Sequence, residues 1–231
     1  MIWMRRMHVI NWMYYGDQTV EWERSNLLTG ITGSGKSSLI DALQVVILGE
    51  TSRFFNRSAT GTKSERNLVT YLRGKFHEAE YKRPDKAFSS YLVIDFFDEL
   101  HQEEFCYGAV FDISEDNTVE KDYFYIPSPF QKEWALKHYE RRSAARSRDE
   151  FKKHLKKTSV SIKLLSPGEY KKHLLQRLGI YDEHFFQVFR TAVAYVPLDR
   201  IEDFIVKNIC HMEDNIDVPK MRTAIHEYHR M

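Results

Sequence analysis

The sequence predicts an α/β fold, a mixed sheet carrying one buried helix with an antiparallel strand layer beside it. Three observations lead there. The run Gly30-Ile31-Thr32-Gly33-Ser34-Gly35-Lys36-Ser37 satisfies G-x-x-x-x-G-K-[ST] and lies between a strand-like stretch and a helical one. Lys36–Leu48 sets Leu39, Ala42, Leu43, Val46 and Ile47 at helical spacing. Ser89–Phe97 and Glu104–Ile113 are rich in Phe, Tyr, Val and Ile and read as paired strands.

The elements follow in order. Met7–Trp12 and Thr19–Trp22 read as two strands, with turn chemistry at Tyr15-Gly16-Asp17. Asn26–Thr29 reads as a short strand entering the glycine-rich loop, and Gly49 closes the helix that follows. Thr51–Ser64 is polar and reads as a loop, and Glu65–Leu72 as a short helix. Asp122–Ile126 supplies a third strand. The charged stretch Gln131–Lys157 reads as helical. Ser166 caps a helix running to about Leu178, closed by Gly179. Asp182–Phe189 reads as helix, Thr191–Val196 as a buried strand and Val218–Arg230 as a polar helix.

Composition bounds the function. A chain of 231 residues with 42% hydrophobic and 14% aromatic residues can bury a sizeable core, so a disordered tail is excluded. The net charge of +1 means that an acidic partner must be met by a local patch. Two cysteines, Cys106 and Cys210, make no disulfide framework. Neither the start nor any apolar run, such as Val45–Leu48, approaches a signal peptide or the ~20 residues that cross a bilayer. A cytoplasmic location without membrane contact is the expectation.

The glycine-rich run has a defined chemistry. Glycines let backbone N–H groups curl round a phosphate, and the following helix turns its positive end to the same anion. Gly30, Ile31, Thr32, Gly33, Ser34, Gly35, Lys36, Ser37 and Ser38 are the candidate ATP-binding residues. Lys36 should reach the β- and γ-phosphates and stabilise charge in catalysis, and Ser37 should ligate Mg²⁺.

With these residues in view, the stretch Asn26–Glu50, NLLTGITGSGKSSLIDALQVVILGE, resembles the P-loop segment of SMC/ABC-type ATPase heads, matching at Ser38, Asp41 and Ala42. Met7–Trp22 resembles the family's opening hairpin, with its N-[FW]-x-x-[FY] pattern. Phe189-Arg190-Thr191-Ala192, Pro197-Leu198, Ile201–Ile205 and Asn215–Val218 are similar to the condensin-like ATPases of the Wadjet plasmid-defence system, the JetC group with its MksB and EptC relatives. The resemblance implies a head split in sequence. Residues 1–217 would form its amino-terminal lobe and 218–231 the root of a coiled-coil arm. It further implies ATP and Mg²⁺ as cofactors, a second copy of the head as dimer partner, sequence-independent DNA binding, and kleisin, winged-helix and nuclease subunits.

Several residues depart from that pattern or imitate it. Tyr91-Leu92-Val93-Ile94-Asp95 has the form of a Walker B strand, but Phe96 follows where a catalytic Glu is needed, so it reads as a core strand. Leu165-Ser166-Pro167-Gly168-Glu169 imitates the signature L-S-G-G-[QE], but Pro167 replaces a needed glycine, so it reads as a helix cap. Where the family has a Q-loop glutamine, Leu198 and Asp199 stand, and Asp199 is either a Mg²⁺ ligand or a loop aspartate. Met13 stands where the family has a basic residue, leaving Arg57, Lys63 and Arg66 as candidates for phosphate or DNA contact or as solvated charges.

Lys132–Lys157 holds ten Lys or Arg against four Asp or Glu, including Arg141, Arg142, Arg146, Arg148, Lys152 and Lys153. It is either a DNA patch or a solvated face. His211, His226 and His229 near Cys210 complete no metal pattern. Alternatives to the condensin-like reading are a RecF- or RecN-type repair ATPase, an ATP-dependent scaffold without hydrolysis, and a small-molecule P-loop kinase.

Overall fold

The computed structural model describes residues 1–51, 67–77, 80–84, 86–140 and 142–193. They fall into two compact units, Met1–Glu183 and one beginning at His184. The first unit opens with β1 (Ile2–Trp12), β2 (Tyr15–Glu21), α1 (Lys36–Leu48), α2 (Leu68–Arg73), β3 (Lys75–His77) and β4 (Glu80–Tyr81). It continues with β5 (Phe88–Asp98), β6 (Glu103–Ile113), β7 (Val119–Ile126), α3 (Lys132–Ala135), β8 (Leu136–Tyr139) and β9 (Arg142–Ala145). It closes with α4 (Arg148–Lys157), β10 (Lys163–Leu165) and α5 (Pro167–Leu178). The second unit contributes α6 (His184–Val193).

A six-stranded sheet in the order β10-β7-β6-β5-β1-β2 organises the first unit, and every pairing in it is antiparallel. Its central strand β5 is apolar on both faces because both faces are covered. Register aligns Ile10, Tyr91 and Val110 on one face, with Val93, Cys106, Phe124 and Ile126. Phe130, Trp134, Leu136, Phe151 and Leu155 pack there, from α3, β8, α4 and the turn before them. The opposite face carries α1 and α5. Tyr170 of α5 packs edge-on against Tyr107 and tilted against Tyr123, and it donates to the Val46 carbonyl at 2.8 Å. Gly108 makes the close packing in β6 feasible: a Cβ there would lie 2.5 Å from the Phe124 ring and 3.0 Å from the Leu92 carbonyl.

Asp95 sits on the face opposite α1, fully buried. Its carboxylate accepts from Arg6 Nε at 2.9 Å and from the Phe130 N–H at 2.9 Å, and His8 Nε2 lies 3.2 Å away. Tyr91–Asp95 is the core strand that the sequence predicts, and Asp95 forms a buried ion pair within it. Ser166 caps α5 through a capping box with Glu169, and Pro167 takes the first turn. That stretch is likewise the cap the sequence predicts.

Five expectations are corrected. In place of a mixed sheet with an antiparallel layer beside it, the described residues form one main sheet that is antiparallel throughout, because β1–β2, β5–β6 and β6–β7 follow one another through hairpins. Gln131–Lys157 is not one helix but α3, the β8–β9 hairpin and α4. Ser147 and Glu150 form a capping box that starts a new helix, and the apolar residues turn inward at no single helical period. Asn26–Thr29 joins no sheet, since a strand needs a neighbour to pair with and none stands beside it among the described residues. The bend between β1 and β2 falls at Met13–Tyr14, with Tyr15-Gly16-Asp17 already in β2. Met13 holds a left-handed φ of 45°, and its N–H and carbonyl are taken by the Tyr71 carbonyl and the Arg83 guanidinium. Thr191–Val193 ends α6 rather than forming a strand. The rest of that stretch, and the 217/218 boundary, lie outside the described residues. Among the described residues no helix is long and apolar enough to cross a membrane.

This packing makes two substitutions informative. Asp95→Ala should cost about 3 kcal/mol of stability, because it leaves the buried Phe130 N–H without its acceptor and takes from Arg6 one of its two carboxylates, yet leave the folded protein's affinity for Mg·ATP unchanged. Urea titration and calorimetry read the two effects, and loss of Mg²⁺-dependent binding at full stability would restore the Walker B reading. Gly108→Ala should lower stability by about 1–3 kcal/mol through overpacking against Phe124, seen as a lower urea midpoint at constant slope.

Candidate nucleotide site

The loop Gly30–Gly35 leaves an exposed, unpaired approach and ends as the first residue before α1. Gly30, Gly33 and Gly35 have φ of 148°, 84° and 95°, values that favour glycine and turn successive N–H groups inward. A Cβ on Gly35 would stand 2.7 Å from the Tyr15 hydroxyl. Gly35 offers α1 no side-chain cap, and the first turn holds no acidic residue. The orphan N–H groups of that turn are therefore open to an external anion.

Lys36 is folded back over the loop. Its Nζ donates to the Gly30 carbonyl at 2.7 Å, the Ile31 carbonyl at 2.8 Å and Ser34 Oγ at 3.2 Å. A phosphate would replace carbonyl partners with a charged one, a stronger acceptor for an ammonium. Ser37 is exposed on the first turn of α1. Its hydroxyl suits Mg²⁺, which keeps several waters and takes few protein ligands beside the substrate phosphates. Ser38 is buried, and its carbonyl accepts from Trp12 Nε1 at 2.9 Å.

Side chains that sequence reasoning left without a role hold this loop in place. Trp12 is fully buried, its ring 4.9 Å from that of Tyr71. The Tyr71 hydroxyl donates to Asp41, a buried carboxylate on α1. Tyr15 donates to the Gly35 carbonyl at 3.2 Å, and burial raises its phenol above the ordinary value. The signal that could have found Trp12 and Tyr15 is N-[FW]-x-x-[FY], in which they fill the two aromatic places.

The other sequence candidates are scattered. Arg57, Lys63, Arg66, Arg141 and Asp199 lie outside the described residues, and Arg142 is described only as backbone of β9. Arg148 binds Asp122 at 2.8 Å and also Glu120, and Lys152 binds Asp122 at 2.9 Å. Burial would raise the Asp122 carboxyl, but hydrogen bonds from Arg148 and Lys152 hold it below the usual range. Lys132 and Lys137 pair with Asp17 and Glu150. Carboxylates distant in sequence thus neutralise part of the basic stretch. Lys153, Lys156 and Lys157 stay exposed, and Arg146 keeps its Nε buried without a hydrogen bond among the described residues. No three His, Cys, Asp or Glu among the described residues converge as metal ligands.

A family model described as the P-loop containing region of AAA domain matches residues 4–62, which span β1, β2, the loop and α1. No curated protein matches the chain. The match and the loop geometry support a P-loop NTPase-like α/β fold, a fold that suggests nucleotide binding.

Proposed function

We propose that this chain is the ATP-binding, amino-terminal lobe of a condensin-like SMC ATPase head that dimerises on ATP and acts on DNA. The observation that carries the reading is the state of the P-loop approach. Asn26–Thr29 pairs with no strand among the described residues, and Leu27 within it and Ile31 just after it are 85% and 83% exposed. A phosphate loop is ordinarily fed by a strand flanked on both sides. A second segment that pairs with Asn26–Thr29 and covers Leu27 is what a head split in sequence provides.

In this reading Gly33–Ser38 hold the phosphates, Lys36 stabilises developing charge and Ser37 holds Mg²⁺. Asp95 is locked in the core and Leu165–Glu169 is a helix cap, so the water-activating carboxylate and the signature motif come from outside this lobe. The nucleotide would be sandwiched between two heads. Residues 218–231 would begin the coiled-coil arm, and kleisin, winged-helix and nuclease subunits would complete a Wadjet-like, DNA-translocating complex in the cytoplasm. That the sequence offers no convincing base for activating water also suits a scaffold that binds ATP without turning it over.

The chain should bind Mg·ATP weakly, lose at least tenfold in affinity with Lys36→Ala, and show negligible steady-state turnover. Robust hydrolysis by the 231-residue chain, abolished by Lys36→Ala, would sink the split-head reading. DNA retention should depend on the exposed lysines of α4. Replacing Lys153, Lys156 and Lys157 by Ala should flatten the plot of log affinity against log salt by about 0.9 for each phosphate no longer neutralised, whereas an unchanged slope removes this helix from the DNA surface.

A further inference from the structure

The bend between β1 and β2 carries a second cationic group that the P-loop does not use. Lys82 and Arg83 bind the bend, and Arg73 joins them through the Arg83 carbonyl. Arg83 donates from Nη2 to the Met13 carbonyl at 2.6 Å and from Nε to the Leu72 carbonyl at 2.9 Å. Lys82 Nζ donates to the Tyr14 carbonyl. Arg73, only 3% exposed, donates to the carbonyls of Lys86 and Ser114 at 2.7 Å and to Asn117 Oδ1 at 2.9 Å. Both guanidiniums lie against Phe88, 5.6 and 5.4 Å from its ring centre.

Each of these partners is neutral, and among the described residues none of the three cations meets a carboxylate. Elsewhere Arg5, Arg6, Arg24, Arg148, Lys171 and Arg177 all do. Three like charges held together by carbonyls repel one another, and an incoming anion relieves that repulsion. Burial and the neighbouring Arg83 push the Lys82 amine below its ordinary value, and burial brings Arg83 down to about 10. Arg73 is spent on holding the 83–86 segment to the 114–117 turn. Lys82 is exposed, its ammonium free to trade a carbonyl for a charged acceptor.

The bend that these cations hold is the one that touches the phosphate loop. Tyr15, next after Tyr14, donates to the Gly35 carbonyl, where the loop enters α1. Lys36 stands at the other end, on Gly30 and Ile31. Lys82 and the Gly35 end of the loop are thus joined through the bend and the Tyr15 side chain.

We propose that Lys82, backed by Arg83, is the second wall of the nucleotide site and neutralises the phosphate chain at its nucleoside end, while Lys36 takes the terminal phosphates. This rests on the reading of Gly30–Ser38 as an ATP site. Arg73 is a positioning residue for that wall.

Equilibrium binding of Mg·ATP and Mg·ADP to the 231-residue chain tests it, with unchanged thermal melting confirming the fold. Lys82→Gln should weaken both nucleotides about tenfold and in equal proportion, as removal of one charge-assisted hydrogen bond requires, and Lys82→Arg should restore most of it. Lys82→Glu should weaken both further. Lys36→Ala should instead weaken ATP more than ADP. If Lys36→Ala lowers affinity and Lys82→Gln and Lys82→Glu leave it unchanged, the second wall is wrong and the P-loop reading stands. If Lys36→Ala also changes nothing, the P-loop reading falls with it. If the Lys82 variants reduce retention of a DNA duplex at constant ATP affinity, the cations serve a nucleic acid and the proposal is overturned.

Discussion

Trp12 ends β1 fully buried, with its indole N–H on the Ser38 carbonyl in the first turn of α1. A buried indole N–H without an acceptor is costly, so the ring and that turn fix each other's position. Tyr71 lies against the same ring and adds a second tie, its hydroxyl on Asp41 one turn further along. The phosphate loop has no such anchors of its own: Gly30–Ser34 are exposed, and they bond largely to Lys36 and one another. Its place in space is inherited from the helix that Trp12 and Tyr71 hold to the sheet. A loop that must exchange partners when an anion arrives can be soft only if the frame behind it is not.

The charges of this protein are sorted by what surrounds them. Asp95 and Arg6 are satisfied inside the core, where an aspartate that imitates a metal ligand is a packing element. On the α4 side, Arg148 and Lys152 are drawn onto Asp122, which trims the positive excess visible in the local sequence. Around the β1–β2 bend the cations are held, among the described residues, by carbonyls. Residue type is the same in all three places. The difference lies in whether the fold brings a carboxylate within reach.

Sequence reasoning reached the loop, α1 and the three long strands, because each is specified by residues adjacent in the chain. Motif spacing fixes Gly30–Ser37, period fixes Lys36–Leu48, and dense Phe, Tyr, Val and Ile fix β5 to β7. It failed where partners decide. The charged run Gln131–Lys157 looks helical by composition, but its breaks come from the Ser147 cap and from Trp134 and Phe151 turning to the same sheet face. Asn26–Thr29 has strand residues and no neighbour among the described residues. Lys82 gains its interest from a meeting with Tyr14, 68 residues away in the chain, which no local pattern records.

Helix α1 is fastened at its far end as well. The Tyr170 hydroxyl holds the Val46 carbonyl, its ring presses on Gly49, and Lys171 grips Glu50 just beyond. One end of the helix is thus tied to β1 and the other to α5. A rod secured at both tips to different layers cannot slide along its axis without breaking one joint. A pull on the phosphate loop is therefore shared between the β1 joint and the α5 joint, and α1 serves as a strut between the two layers.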